Sequence, residues 1–196
     1  SIAPIFTGIL AHFFLEGEKM KKSIVLGFVC AMAGICLITF QKGETVELNP
    51  LGDFLGVAAA AIWGVYSICS RKIAGFGYDT IITTRRTFFY GILFMLCALP
   101  FMDFHLSLSA LLKPVNLGNI IYLGVGASAI CFVTWNYAVK SLGATRASVY
   151  IYGIPVVTIL MSIPLLHEVI TFQAMAGTVL TLVGLLISEW PFSPKK

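Results

Sequence analysis

Residues 147–188 read ASVYIYGIPVVTILMSIPLLHEVITFQAMAGTVLTLVGLLIS, two long apolar runs that are separated by the single charge of Glu168. Each run is close to the ~20 residues that an α-helix needs to cross the hydrocarbon core of a bilayer. Only α-helices and closed barrels satisfy every backbone polar group in lipid, and runs this continuous do not show the alternation of barrel strands. The stretch therefore predicts a hairpin of two membrane-spanning helices.

Further runs without Asp, Glu, Lys or Arg lie upstream, at residues 2–15, 23–41, 54–70, 87–102 and 114–139. The third is read as a helix from Leu51, with Asp53 at the membrane interface. The chain is 58% hydrophobic and 11% charged, whereas a soluble domain carries about 25% charged residues. We therefore predict an all-α integral membrane protein, a multi-spanning bundle of seven helices. The first run is too short for a span, so the chain is expected to begin inside a helix.

Basic residues mark one side of this bundle. All of the 13 Lys and Arg residues except Lys42 and Lys113 fall in the first, third and fifth gaps or in the tail. Because cytoplasmic loops collect Lys and Arg, we predict a multi-pass protein of the plasma membrane with a cytoplasmic C-terminus. Seven spans then place residue 1 outside, which again indicates helices upstream. This asymmetry explains the net charge of +4 without a nucleic-acid-binding patch.

The first helix pair resembles the last pair at positions that are not aliphatic. The matched residues are Pro4 with Pro155, Thr7 with Thr158, Glu18 with Glu168, Gly27 with Gly177, and Gly34 with Gly184. The turn of the first pair carries lysines and the turn of the last pair carries none, so the charge rule places the two turns on opposite sides. The copies are therefore predicted to be inverted, a design of secondary transporters that bind substrate near the midplane.

The spacing of the copies predicts inverted repeats of five helices each. Residues 1–41 would hold the last two helices of a first repeat, 42–50 a linker, 51–188 the second repeat, and 189–196 a cytoplasmic tail. On this division about three helices are expected upstream of residue 1.

Three groups of residues carry a resemblance to a known family. They are Trp135-Asn136-Tyr137-Ala138, Gly143-Ala144-Thr145-Arg146-Ala147, and Pro155 followed by Glu168 and Gly177. With these residues the chain resembles EamA-type members of the drug/metabolite transporter superfamily. The resemblance implies ten helices with both ends in the cytoplasm, and carriers that move amino acids, other metabolites or drugs. Ser128 and Phe132 stand where family members often have Thr and Tyr.

A substrate cavity is predicted from helix faces that mix small, hydroxyl and aromatic residues. Such faces cost free energy against lipid, so they are expected to turn inward. The candidate substrate-binding residues are Trp63, Tyr66, Ser128, Phe132, Trp135, Asn136, Tyr152 and Thr158. Two alternatives stay open, since Asn136 could instead cap a neighbouring helix and the hydroxyls could simply bond backbone carbonyls.

Two prolines and one arginine complete the candidate site. Pro155 lies within its apolar run, where it removes a backbone hydrogen bond and frees the carbonyl of Ile151. With its partner Pro4, it is interpreted as a helix break beside the substrate, although a tolerated kink explains it equally well. Arg86 is a candidate for a cytoplasmic vestibule that attracts anions, with orientation anchoring as the alternative.

The leading hypothesis is a secondary transporter of small metabolites, such as amino acids or drugs, that works by alternating access. The sequence contains no nucleotide-binding loop of the Gly-x-x-x-x-Gly-Lys-Ser/Thr type. A membrane scaffold or assembly protein is the alternative. A membrane-embedded enzyme is less favoured, because the three histidines are scattered. No cofactor or metal is expected. The expected partners are a small-molecule substrate and the lipid bilayer. A homodimer is also compatible with the sequence.

Overall fold

The computed structural model describes residues 2–18, 21–39, 49–102, 108–166 and 171–189. Within these ranges the chain forms helices and no strand. We label seven helices: α1 (Ala3–Phe14), α2 (Lys22–Thr39), α3 (Pro50–Gly75), α4 (Thr80–Ala98), α5 (Pro114–Leu142), α6 (Ala144–Leu165) and α7 (Phe172–Glu189). A short helix, Leu108–Leu111, lies between α4 and α5. Most of the predicted linker 42–50, Glu168, and residues 190–196 of the predicted tail lie outside the described residues.

The prediction of an all-α membrane bundle is confirmed. In the described part of the chain, α2 to α7 are each long and apolar enough to cross a bilayer, while α1 has only 12 residues. Large apolar side chains such as Phe94 and Phe101 remain exposed, as they can when lipid is the solvent. The seven-helix count therefore agrees with the sequence.

The helices extend further into the charged gaps than the uncharged runs indicate. α4 begins at Thr80, not at residue 87, and α3 continues past Arg71 to Gly75. The start of α4 is capped by Asp79, whose carboxylate accepts a hydrogen bond from the Ile82 amide at 3.0 Å. Long basic side chains near helix ends can reach the interface, so charge does not end a helix there.

Two of the spans change their winding. α5 contains a π-helical stretch at Tyr122–Ile130, and α6 contains a 3-10 turn at Tyr150–Tyr152. The 3-10 turn ends shortly before Pro155, where the missing amide prevents regular pairing. The structure also has a second proline inside α6, Pro164, which the sequence analysis did not single out.

Contacts divide the chain into two compact units. The first unit comprises residues 1–69 and 142–196, and the second comprises residues 70–141. The first unit therefore holds α1, α2, most of α3, α6 and α7. The second holds the end of α3, α4 and nearly all of α5.

Small residues bring α2 and α7 into close contact in the first unit. A Cβ atom on Gly177 would stand 2.6 Å from the Gly34 carbonyl oxygen, and one on Gly184 would stand 2.7 Å from the Gly27 carbonyl oxygen. Only glycine permits backbones to approach this closely. Cys30 and the Leu180 carbonyl lie between these contacts, with Sγ 3.5 Å from the oxygen.

The same glycines show that α2 and α7 run antiparallel. Gly27 packs against Gly184, which matches Gly34 in the predicted repeat. Gly34 packs against Gly177, which matches Gly27. A half-turn about an axis through the middle of the contact produces this crosswise pairing. The start of α2 and the start of α7 therefore lie at opposite ends of the helix pair.

Candidate functional site

An apolar cavity of about 280 Å³ lies within the first unit, between α1, α2 and α6. We call it the α1–α2–α6 cavity. For comparison, a buried apolar cavity of about 150 Å³ is large enough for benzene. Its lining residues are apolar apart from one phenol: Pro4, Ile5, Gly8, Ile9, Ile24, Val25, Phe28 and Tyr152. The cavity therefore suits a ligand with a substantial apolar part.

Tyr152 supplies the one side-chain hydroxyl of this lining. Its side chain is only 1% exposed, and its ring packs on Phe28 with the ring centroids 6.2 Å apart. Among the described residues, none forms a hydrogen bond with the Tyr152 hydroxyl. A hydroxyl at an apolar cavity can bond a polar group of a ligand, and such a hydrogen bond contributes about 0.5–1.5 kcal/mol net.

The fold places Tyr152 at the cavity through the irregular start of α6. Tyr152 is the last residue of the 3-10 turn, and the core residues Ala31 and Val149 pack around it. Pro4 lies in the first turn of α1 and lines the cavity. Pro155 lies three residues after Tyr152 on α6 and is not among the lining residues. A helix break at Pro155 beside the substrate stays a prediction.

Three other candidates belong to the first unit. Trp63 and Tyr66 are half-buried on α3, with ring centroids 5.6 Å apart and planes tilted by 42°. Thr158 is exposed, and its hydroxyl donates to the Ile154 carbonyl at 3.0 Å. Thr158 therefore plays the backbone-bonding role that the sequence analysis kept as an alternative.

A polar crevice lies within the second unit, at the ends of α3, α4 and α5. It has room of about 20 Å³, enough for roughly one water molecule. Its lining is Ser70, Ile73, Ala74, Tyr78, Thr80, Thr83, Thr87 and Asn136. Thr83 and Thr87 donate their hydroxyl protons to the carbonyls of Asp79 and Thr83, at 2.8 and 3.1 Å. The remaining lone pairs make the crevice rich in hydrogen-bond acceptors.

Asn136 lines this crevice and joins α5 to α4. The residue is 8% exposed, and its Nδ2 donates to the Thr84 hydroxyl at 2.9 Å. That partner lies on the second turn of α4, so Asn136 bonds a side chain instead of capping a helix end. A place for Asn136 in the substrate pathway stays a prediction.

The other candidates on the second unit are Phe132, Ser128, Trp135 and Arg86, and none of them lines the polar crevice. Phe132 packs edge-on against Phe88, with ring centroids 5.2 Å apart. Ser128 lies in the π-helical stretch and Trp135 on the regular helix that follows it, both half-buried. Arg86 is exposed on the second turn of α4. Convergence of these residues with those of the first unit on one substrate stays a prediction.

One feature of the first unit was missed by the sequence analysis. Glu18, in the turn after α1, binds the start of α6. Its Oε1 atom accepts a hydrogen bond from the Ala144 amide at 3.1 Å. Its Oε2 atom accepts hydrogen bonds from the Thr145 amide at 2.9 Å and from the Thr145 hydroxyl at 3.0 Å. A carboxylate satisfies the free amides and the positive end of a helix N-terminus. The Gly143-Ala144-Thr145 motif was the available signal, but its partner lies 126 residues away in the chain.

Gly143 is required by this arrangement. Its φ of +92° is strained for residues with a side chain. A Cβ atom on Gly143 would also stand 2.7 Å from the Glu18 Oε1 atom. The glycine therefore lets the carboxylate reach the amides of α6.

Metal-ligating residues do not cluster in the part of the chain that the structure describes, where no three His, Cys, Asp or Glu residues come together. The five cysteines are free. The chemistry that these units offer is apolar burial and hydrogen bonding.

Known proteins resemble this chain in sequence and in fold. Residues 50–190 match the EamA-like transporter family. The chain is 28% identical to the "Uncharacterized transporter YyaM" of Bacillus subtilis, over 95% of this chain and 61% of that protein. It is 31% identical to an "Uncharacterized transporter" of Archaeoglobus fulgidus, over 95% of this chain and 64% of that protein. The chain is also 28% identical to a "Probable terminal-alkyne amino-acid exporter" of Streptantibioticus cattleyicolor, over 95% of this chain and 61% of that protein.

The chain therefore spans about three-fifths of the length of these relatives. A protein of known crystal structure shares the fold, with a TM-score of 0.74 over 96% of this chain and 63% of its own. Its sequence identity of 22% extends the likeness to the fold alone.

Proposed function

Because the chain belongs to the EamA-like transporter family, we propose that the protein is a secondary transporter of small metabolites that works by alternating access. The family and the transporter-named relatives point to an integral, multi-pass membrane transporter and not to an enzyme. Alternating access is proposed because α2 and α7, which match each other in the predicted repeat, cross antiparallel, and inverted repeats rock around a central site.

The α1–α2–α6 cavity is the observation that carries the proposal. Protein interiors are normally close-packed, whereas here an apolar space of about 280 Å³ lies between α1, α2 and α6. The space stays open beside the buried side chain of Tyr152. A scaffold protein has no need of such a space, whereas a carrier needs one that exchanges its contents.

The proposed substrates are amino acids or related metabolites with an apolar side chain. The apolar lining would take the side chain, and the Tyr152 hydroxyl would bond a polar group at its edge. The name of the Streptantibioticus cattleyicolor relative, which speaks of an amino-acid exporter, supports this choice of compounds. We also propose the plasma membrane as the location and the cytoplasm for the C-terminus, which a fluorescent C-terminal fusion would report.

Ligand binding to the purified full-length protein tests the proposal. We expect one or more apolar amino acids to raise the midpoint of thermal unfolding in detergent, because a ligand that binds the folded state stabilises it. Tyr152→Phe removes only the hydroxyl and is expected to weaken binding about tenfold, the factor for one lost hydrogen bond. The matched control is Tyr150→Phe, since Tyr150 is 49% exposed in the same 3-10 turn. Equal binding by both variants, or no stabilisation by any compound, would contradict the proposal.

A further inference from the structure

Among the contacts that join the α1–α2 hairpin to the α6–α7 hairpin, two differ in character. One is the glycine contact, where the backbones of α2 and α7 touch at Gly34 and Gly177. The other is the contact of Glu18 with Ala144 and Thr145. If the protein works by alternating access, the two hairpins belong to repeats that move against each other, and at least one contact between them must change.

The glycine contact is poorly suited to opening. It is made by backbone atoms along antiparallel helices, and separating them would leave voids that neither water nor lipid fills well. The half-turn relation between α2 and α7 also places the glycine contact at the middle of this helix pair. We therefore regard the glycine contact as the fixed part of the structure.

The Glu18 contact has the opposite properties. It includes three hydrogen bonds to one half-buried carboxylate in a turn. Water can replace each bond when the groups separate, so opening is inexpensive compared with breaking a packed interface. Lys21, Lys22 and Arg146 occupy the same end of the first unit, which is the end expected to face the cytoplasm.

We propose that Glu18 is a positioning residue that latches the α1–α2 turn to the start of α6 in the state described, and that this latch opens when the transporter exposes its site at the basic end. The proposal rests on the proposed function. Ser148, one turn after Ala144 on α6, is fully buried, and its hydroxyl donates to the Thr145 carbonyl at 2.8 Å. Open, the latch would let water reach Ser148 and, one turn further, Tyr152.

A labelling experiment tests the latch without a substrate. In the full-length protein with its other cysteines replaced, Ser148→Cys would be labelled with the membrane-impermeant thiol reagent MTSET in inside-out vesicles. Glu18→Gln should raise the labelling rate about tenfold or more, the factor expected for the loss of a charge-assisted hydrogen bond. Gly143→Ala should do the same, because its Cβ displaces the carboxylate. The control is Glu16→Gln, exposed in the same turn. Equal rates in all variants would overturn the proposal.

A crosslink separates a moving latch from a static helix cap. Glu18→Cys and Thr145→Cys would be joined by a short bifunctional methanethiosulfonate in proteoliposomes. We expect uptake of labelled amino acids to stop and to return after reduction with dithiothreitol, whereas either single cysteine variant should be unaffected by the reagent. Normal uptake by the crosslinked protein would show a static cap. If the unmodified protein takes up no compound, the proposed function fails, while the labelling result still decides on the latch.

Discussion

At the scale of single residues, buried polar groups determine how the helices meet. Asn136 is an amide inside a membrane protein, where an unpaired polar group is costly. Its bond to Thr84 connects α5 to α4 and fixes the facing turns of both helices. Arg71 acts similarly nearby, donating to the carbonyls of Val139 and Lys140 at the end of α5.

The Asn136–Thr84 bond makes a quantitative prediction. Asn136→Ala and Thr84→Val should each lower the free energy of unfolding by about 1 kcal/mol, the order found for hydrogen bonds between membrane helices. The double variant should lose less than the sum of the two, because both single changes remove the same bond. Reversible unfolding in mixed micelles measures this. Thr134→Val is the control, since its exposed hydroxyl bonds only within its own helix. Additive losses would show that the bond is unimportant.

Residue roles were the hardest to predict from the sequence. Tyr152 could be placed on an inward face from its neighbours, because polar and aromatic groups avoid lipid. Thr158 shares that pattern, yet its hydroxyl is satisfied by its own helix and it is exposed. Glu18 was read as an ordinary turn residue because its partners, Ala144 and Thr145, are distant in the chain. Such pairings depend on the tertiary structure and leave no local pattern.

At the scale of the helices, the glycines of α2 and α7 have the clearest consequence. Gly34 and Gly184 face backbone atoms of the other helix so closely that any side chain would separate the two. The antiparallel crossing also explains why the matched glycines of the two copies fall seven residues apart, at Gly27 and Gly34 and at Gly177 and Gly184. Two turns of helix bring them to the same face.

Alanine at these glycines should destabilise the protein. Gly34→Ala and Gly184→Ala are each expected to lower the free energy of unfolding by about 1–3 kcal/mol, as for overpacking in a core. Gly118→Ala is the matched control, because a Cβ atom there would meet nothing within 4 Å. The control should be neutral or slightly stabilising, since alanine favours helix more than glycine does. Equal behaviour of the three variants in unfolding experiments would refute the close contact.

Helix number and identity could be predicted because hydropathy reports directly on burial in lipid. Helix ends could not, since Arg85 and Arg86 lie inside α4 although they interrupt the apolar run. The change of winding at Tyr122–Ile130 was also missed. Hydropathy reports which side chains tolerate lipid and contains nothing about whether an amide bonds four or five residues back.

At the scale of the whole molecule, the described units combine a packed pair of helices with an open space beside it. The α2–α7 contact is tight, while the α1–α2–α6 cavity holds about 280 Å³ close to it. A rigid contact next to an unfilled cavity suits a protein that moves one helix pair around another. The chain spans about three-fifths of the length of its relatives, so the complete pathway is a property of the whole protein.

Uptake by the full-length protein in proteoliposomes tests the central claim most directly. Vesicles without ATP would be given labelled apolar amino acids, with Tyr152→Phe and Tyr150→Phe compared at equal amounts of reconstituted protein. We predict uptake of at least one compound by the unmodified protein, a fall of about tenfold in kcat/KM for Tyr152→Phe, and no change for Tyr150→Phe. Uptake that is the same for Tyr152→Phe as for Tyr150→Phe would contradict the assignment of the cavity, and uptake no greater than in empty vesicles would contradict the transporter itself.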